Sequence, residues 1–570
     1  MAGVNMRVRR ISIKNFRGIR DLEWQPSDGL NCLVGPGDSG KSTIIDALDW
    51  CLGARRSVPV TDADFFELKV NEPIVIECIL GDLNDSLKNL EAYGAFLRGL
   101  ASDGSLEDEP GNGLETVLVL QLMIESDLAG QWRLISPRAE DLGQTRGLSW
   151  GDRVSLAPTR IGTFANQHLG WQRGSLLNLL ADERANAAAE LAEAARQARE
   201  SFGDSAGEQL AQTLEITNET AKELGIGIGH EVRAMLDAHA VNFSGGTIAI
   251  HDSNGVPLRK LGMGSSRLLV AGLQRRIAER SSVALVDEVE IGLEPHRIAK
   301  FLTALGAKQA RPPMQVFMTT HSPIVLRELR SQQLSLVRAS GEHFVIPAGD
   351  TDDVQAALRS SPEGFLGLHV LICEGATEVG LIRGLDLFFS DRNRPTFQAA
   401  GGVALDAGGV SRIYRKALPF ANLAYHAAVL RDDDVQPDAG AEEMFEEATG
   451  TVFAWTKNWA FEDELFDCLS GNGIDEMWDF LIKTHGEAKL VQHLRSANNG
   501  PVDLEALFDD PDEDDRSLLA AASKKGGWLK RIDIMEDAAH RVVGPDLADM
   551  KKDFTEVIEG IYAWAGAGDE

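Results

Sequence analysis

Leu33-Val34-Gly35-Pro36-Gly37-Asp38-Ser39-Gly40-Lys41-Ser42-Thr43 is the stretch from which the fold is read. It fits G-x-x-x-x-G-K-[ST]. A short apolar strand precedes it and a helical pattern (Ile44, Ile45, Leu48) follows, the context that gives the motif physical meaning. Its glycines let successive backbone N–H groups turn inward around phosphate oxygens, at the positive end of the helix. Gly35, Gly37, Asp38, Ser39, Gly40, Lys41, Ser42 and Thr43 are therefore a candidate cradle for the phosphates of ATP. Lys41 is spaced to reach the β- and γ-phosphates, and Ser42 to place its hydroxyl on Mg²⁺.

The surrounding chain has 570 residues, enough for about three or four domains. Apolar residues make up 44% and charged residues 25%, so cores of ordinary size can form. No apolar run reaches the ~18 residues that would span a membrane, and the N-terminus lacks the apolar stretch of a signal peptide. Cys32, Cys51, Cys78, Cys373 and Cys468 are scattered and form no C-x-x-C pair, which suits a reducing cytoplasm rather than a disulfide framework. A net charge of −31 excludes wrapping of nucleic acid by the whole surface, but not a local basic groove or contact through metal ions.

On the N-terminal side, residues 6–24 alternate apolar and basic residues as one half-exposed strand does. The segment Ile11-Ser-Ile-Lys-Asn-Phe16-Arg17-Gly18, leading straight into the loop, resembles the opening strand of the structural-maintenance and recombination-repair branch of ABC-type ATPases. Further strands are expected at Pro73–Leu80, Thr116–Ile124 and Trp132–Ile135. No glutamine matches that family's Q-loop. From Ser175 to Leu224 the chain turns Ala/Glu/Arg/Leu-rich with few breakers, which predicts a long helix, a break near Gly203–Gly207 and a second helix. This insertion is either a dimerisation arm or a hairpin packed on its own domain.

Beyond it, Leu261-Gly262-Met263-Gly264-Ser265-Ser266-Arg267 is read as a loop before an apolar helix, and resembles the ABC signature. By that resemblance Gly264 and Ser265 offer N–H groups to the γ-phosphate on an opposite protomer. Ser282-Val-Ala-Leu-Val-Asp287-Glu288 is four apolar residues ending in two acids, the Walker B pattern: Asp287 for the Mg²⁺ shell, Glu288 to polarise the attacking water. Gly292–His296 stands where the family has its D-loop. Val316–Pro323 is an apolar strand ending in His321, which matches the switch histidine.

A second constellation follows a polar helix and linker at Asp352–Leu366. Leu368–Cys373 is an apolar strand with Glu374 at its tip, a Gly turn, and a helix carrying Glu378 one turn on. Val403–Gly409 reads as a second strand and turn, and Tyr425–Arg431 as a third strand ending in Asp432-Asp433-Asp434. Alternating strands and helices imply a parallel sheet whose strand C-termini share a rim, so Glu374, Glu378, Asp432 and Asp434 converge. Crowded carboxylates repel unless cations lie between them, and oxygen-only ligands favour Mg²⁺ or Mn²⁺ and two-metal attack on a phosphodiester.

The order E-G-x-x-E, GG, D-x-D resembles the TOPRIM domain of topoisomerases, primases and nucleases. With the ATPase and its helical insertion, nearly the whole chain is similar to the OLD (overcoming lysogenisation defect) nucleases, including the Gabija-type antiviral nuclease. The resemblance implies an α/β fold with an ABC/SMC-like P-loop ATPase head in 1–165 and 241–345. It places the insertion at 166–240, the linker at 346–366 and TOPRIM at 367–570. It also implies Glu462, with Glu464 as competitor, to complete one metal's shell, and Lys530, with Lys524 and Lys525 as alternatives, to stabilise the developing phosphorane. The run Asp509–Asp515, which contains Pro511, reads as a flexible, solvated acidic loop. The implied activity is DNA cleavage dependent on divalent metal and controlled by ATP, in defence against phage or foreign DNA, by a homodimer or tetramer. The rivals are a repair-type DNA-binding ATPase with a non-catalytic TOPRIM module, and an effector subunit that needs a partner such as a helicase or reverse transcriptase.

Overall fold

The computed structural model describes residues 6–169, 175–180, 193–198, 201–202, 210–223, 250–277, 282–340, 342–508 and 511–567. Contacts divide the chain into two units, residues 1–31 with 42–319, and 32–41 with 320–570.

The first unit opens on a hairpin. The alternation over residues 6–24 is two antiparallel strands, Arg7–Phe16 and Ile19–Trp24, rather than one. Arg17, at φ 51°, turns the chain between them. The hairpin joins an antiparallel sheet in which Arg7–Phe16 pairs with Ile74–Gly81, which pairs with Glu115–Ile124. The same unit carries three parallel strands, Thr159–Arg160, Val283–Val286 and Gln315–Thr319. Val283–Val286 is buried at every position, as a strand covered on both faces must be. The expected helical insertion is described only in part, as short helices such as Leu176–Leu180 and Ala211–Glu223; the break at Gly203–Gly207 lies outside the described residues.

In the second unit the strand leading to the phosphate-type loop pairs in parallel with Leu334–Ser340, Cys32 opposite Leu334. Further along comes a four-stranded sheet of order Gly402–Asp406, His369–Cys373, His426–Arg431, Thr451–Ala454. All its pairings are parallel. One face is covered by helix Ala376–Asp391, which lies close against helix Ile532–Ala538 because Gly380 and Gly384 have no side chain there. A Cβ on Gly384 would stand 2.2 Å from the Glu536 carbonyl. Leu371, Leu385, Phe389, Trp528, Met535 and Phe554 fill the core beneath. Residues 352–366 hold a helix, Asp352–Ser360, which buries Val354, Ala357 and Leu358.

Of the acidic run Asp509–Asp515, residues 509 and 510 lie outside the described residues, and the remainder corrects the sequence reading. Asp512 caps the helix Glu513–Gly526, and Glu513, Asp514 and Asp515 form its first turn. Carboxylates at a helix N-terminus meet unpaired N–H groups and the positive end of the dipole, which orders them.

Candidate functional site

The loop Gly35–Lys41 is shaped by close approach. A Cβ on Gly35 would stand 2.5 Å from the Val337 carbonyl, so only glycine fits. Gly40 takes φ 86° and Asp38 φ 57°, the left-handed turns that aim successive N–H groups inward. Lys41 is buried; its Nζ donates to the carbonyls of Gly35 at 3.0 Å and Pro36 at 2.5 Å and reaches Ser39 Oγ at 3.3 Å. The helix Lys41–Leu52 starts here and also carries Ser42 and Thr43.

In the first unit, Ser42 Oγ donates to Asp287 Oδ1 at 3.1 Å, which joins the expected Mg²⁺ hydroxyl to the expected Mg²⁺ carboxylate. Thr319 Oγ1 donates to the same oxygen at 2.6 Å and accepts the Glu288 N–H at 2.8 Å. Glu288 has φ 48°, the strained conformation expected where a strand tip must aim a side chain. His321 follows the end of the Gln315–Thr319 strand by two residues.

The signature segment is not a loop. Helix begins at Met263, so Gly264 and Ser265 lie in its first turn with Gly262 as N-cap. Gly264 is tolerated in the helix because a Cβ there would meet the Gly292 carbonyl at 2.1 Å. Ser265 Oγ accepts from Arg297 Nη1 at 3.2 Å. The sequence reading missed Arg267. Its buried guanidinium donates to the carbonyls of Asp287, Glu288, Val289 and Ile291, at 3.3, 3.2, 3.2 and 2.5 Å. It therefore holds the turn that carries Asp287 and Glu288. A charged residue one step before an apolar helical run was the available signal.

At the second constellation, sheet topology brings together residues far apart in sequence. Glu374 follows the His369–Cys373 strand, and its Oε2 accepts the Asp432 N–H at 3.1 Å. Asp432 follows the neighbouring strand, and its Oδ1 accepts the Phe461 N–H at 2.9 Å. Glu378, in the first turn of its helix, accepts the Gly375 N–H at 2.9 Å and is buried. Glu462 is buried too, and its Oε1 has no hydrogen-bond partner. Asp434 is exposed on the rim, where its charge still raises Glu374.

The electrostatics of these acids all run in one direction. Burial, then the charges of Glu378, Glu374 and Glu462, push the Asp432 carboxyl up to about 9. Burial, with the charges of Glu374 and Glu462, lifts Glu378 to about 7. Glu374 and Glu462 are raised as well, burial being the largest cause. Such shifts mark groups that are costly to charge together without a cation.

Between the competing acids the partners differ. Glu464 Oε2 accepts the Thr456 N–H at 3.0 Å and its Oε1 faces Cys468 Sγ, so it is used by the fold, while Glu462 keeps an unpaired oxygen. Among the late lysines, Lys524 pairs with Asp463 at 2.6 Å and Lys525 donates to the Ser496 carbonyl at 3.1 Å. Lys530 is exposed, and its charge eases the ionisation of Glu462. Among the described residues no three His, Cys, Asp or Glu side chains already stand in position to enclose an ion. The donor set nevertheless fits a hard cation: it is all oxygen, mutually repelling, and includes one buried unpaired oxygen.

Among the described residues no helix is long and apolar enough to cross a membrane. Comparison with known proteins gives a match to the family described as "AAA domain, putative AbiEii toxin, Type IV TA system" over residues 30–327, more than half of the chain. The chain is 24% identical to OLD nuclease from Thermus scotoductus over 378 residues, which cover 63% of this chain and 67% of that protein. It is 39% identical to the DNA replication and repair protein RecF of Chlorobium luteolum over 46 residues, 8% of this chain and 12% of that one. Among solved structures it has a likeness to the SMC head domain from Thermotoga maritima, 16% identical with TM-score 0.28, covering 60% of this chain and 98% of that one. The chain belongs to this AAA-domain family and is a relative of OLD nuclease.

Proposed function

We propose that the chain is an ATP-binding, divalent-metal-dependent DNA endonuclease whose phosphodiester chemistry takes place at the carboxylates of a TOPRIM-type domain. The observation that carries this reading is the crowding of Glu374, Glu378, Asp432 and Glu462 at the C-terminal rim of a parallel sheet, with one buried oxygen left unpaired. Glu374, Glu378, Asp432, Asp434 and Glu462 would hold Mg²⁺ or Mn²⁺. Bound cations supply charge neutralisation at a phosphodiester and activation of its attacking water. Lys530, whose charge acts on Glu462 as that of Lys524 also does, would meet negative charge that develops on the phosphate.

ATP would act as a control. Gly35–Ser42 bind its phosphates, Asp287 with Ser42 serve its Mg²⁺, Glu288 orients water, and Arg267 keeps the Asp287–Glu288 turn in place. Gly264 and Ser265, in the first helical turn, and His321 would face the γ-phosphate. By the ABC pattern the first two serve the nucleotide of a second copy, which makes the working form a homodimer or tetramer. The kinship with OLD nuclease supports a nuclease activity; DNA as substrate, a role in defence against phage or other foreign DNA, and a helicase-like or other partner complete the proposal.

The test is incubation of the purified chain with supercoiled plasmid. Nicked or linear product should form with Mg²⁺ or Mn²⁺, vanish with EDTA, and vanish in Glu374→Ala. Cleavage that survives both treatments contradicts the site assignment.

A further inference from the structure

Arg431-Asp432-Asp433-Asp434 places three acids in a row at the end of one strand, and both carboxylate oxygens of the middle one are bonded by partners that are not acids of the cluster. Asp433 Oδ1 accepts from Arg431 Nη1 at 2.8 Å, and Oδ2 accepts the Asn458 N–H at 2.9 Å. The Asp433 N–H donates to the Trp459 carbonyl at 2.8 Å. Asn458 reaches this geometry at φ 65°, a left-handed turn that Asn adopts more readily than most residues.

Arg431 is the anchor of this arrangement. It is buried, and the Nη1 that grips Asp433 also donates to the Asp432 carbonyl at 3.0 Å. Its Nε lies 3.4 Å from Glu442 Oε2, which in turn accepts the Tyr414 hydroxyl at 2.6 Å. The guanidinium is thus held through Nη1 by Asp433 and the Asp432 carbonyl and by the ion pair with Glu442, and with it the conformation of the acidic turn.

The segment gripped by Asp433 is the turn before helix Phe461–Cys468, whose second residue is Glu462. Three bonds therefore tie the strand tip to that turn: Asp433 to the Asn458 N–H, Asp433 N–H to Trp459, and Asp432 to the Phe461 N–H. Bonds at Asn458, Trp459 and Phe461 fix both spacing and rotation. We propose that Asp433, held by Arg431, is a positioning residue that sets the separation of Asp432 and Asp434 from Glu462 without itself touching the ion. The inference rests on the reading of these carboxylates as a divalent-cation site. Residues that orient metal ligands from behind alter metal affinity by about 10–100-fold when replaced.

The experiment is titration of the full chain with Mn²⁺, free Mn²⁺ being read by EPR, for wild type, Glu374→Ala, Asp433→Asn and Arg431→Lys. An amide at 433 presents N–H to one of two donors, so one of the two side-chain bonds is lost. Asp433→Asn should weaken Mn²⁺ by about 10–100-fold, and Arg431→Lys by less, with fluorescent ATP-analogue binding unchanged in both. If wild type binds no Mn²⁺, or Glu374→Ala binds as wild type does, the cation-site reading fails. If wild type binds, Glu374→Ala does not, and Asp433→Asn binds as tightly as wild type, the positioning role fails. Should Asp433→Asn not fold, Arg431→Lys alone decides by the same affinity criterion.

Discussion

Asp287 and Asp432 each follow an apolar parallel strand, yet their surroundings are opposite. Asp287 Oδ1 receives two hydroxyl donors, from Ser42 and Thr319, and the turn behind it is held by the Arg267 guanidinium. Asp432 receives one backbone N–H and is pressed by the charges of Glu378, Glu374 and Glu462. The first surrounding is satisfied by the protein's own donors. The second leaves the acid among like charges. A strand-tip acid therefore says little by its type; its neighbours decide how much of its charge the protein itself offsets.

Breaking the comparison at its strongest point gives the largest effect. Asp432→Ala should lower plasmid cleavage by roughly a thousand-fold or more, the scale of losing an essential charge-stabilising group, while ATP-analogue binding stays unchanged. Gly35→Ala should do the reverse. A Cβ 2.5 Å from the Val337 carbonyl must shift the loop, so nucleotide affinity should fall about ten-fold, ~1.4 kcal/mol. Gel quantification reads the first quantity and equilibrium dialysis the second.

The electrostatic difference has its own signature. Glu378 at about 7 and Asp432 at about 9 lie above the ordinary carboxylate value of about 4. The folded chain therefore keeps protons that the unfolded chain has released. This contribution to stability is whole below the unfolded value and is lost as pH climbs through the folded ones. Without metal, Tm should fall between pH 6 and 9, and Asp432→Asn should raise it near pH 8. Added Mn²⁺ should raise Tm more near pH 8 than near pH 6, because protons compete with the ion. A metal-induced Tm rise that is the same at both values counts against cation binding by these acids.

The smallest effect belongs to an acid the fold already satisfies. Asp512 Oδ1 accepts the N–H groups of Asp514 and Asp515, each at 3.0 Å. Asp512→Ala should cost about 1 kcal/mol, near 2 °C in Tm, and leave cleavage and Mn²⁺ affinity unchanged.

Much of this was legible because apolar strands end where chemistry begins. Val283–Val286 before Asp287, and His369–Cys373 before Glu374, are short buried runs followed by acids, and parallel pairing brings each tip to the rim of its own sheet. Other features depended on tertiary partners that no local pattern reveals. Gly264 reads as a helix breaker, yet its missing side chain is what allows the helix to touch Gly292. The three acids 432–434 look alike in sequence, and only the Asn458 and Trp459 backbone shows that Asp433 is spent on the fold. Glu462 and Glu464 were inseparable until Thr456 was seen to occupy one of them.

On the proposed function, cleavage belongs to the carboxylates and control to the nucleotide loop. The most direct measurement compares Lys41→Ala with Glu374→Ala, both folded, for ATP-analogue binding and for plasmid cleavage in Mg²⁺. Lys41→Ala should lose nucleotide binding and still cleave, while Glu374→Ala should bind nucleotide and not cleave. Loss of all cleavage in folded Lys41→Ala, or cleavage retained by Glu374→Ala, would contradict that division.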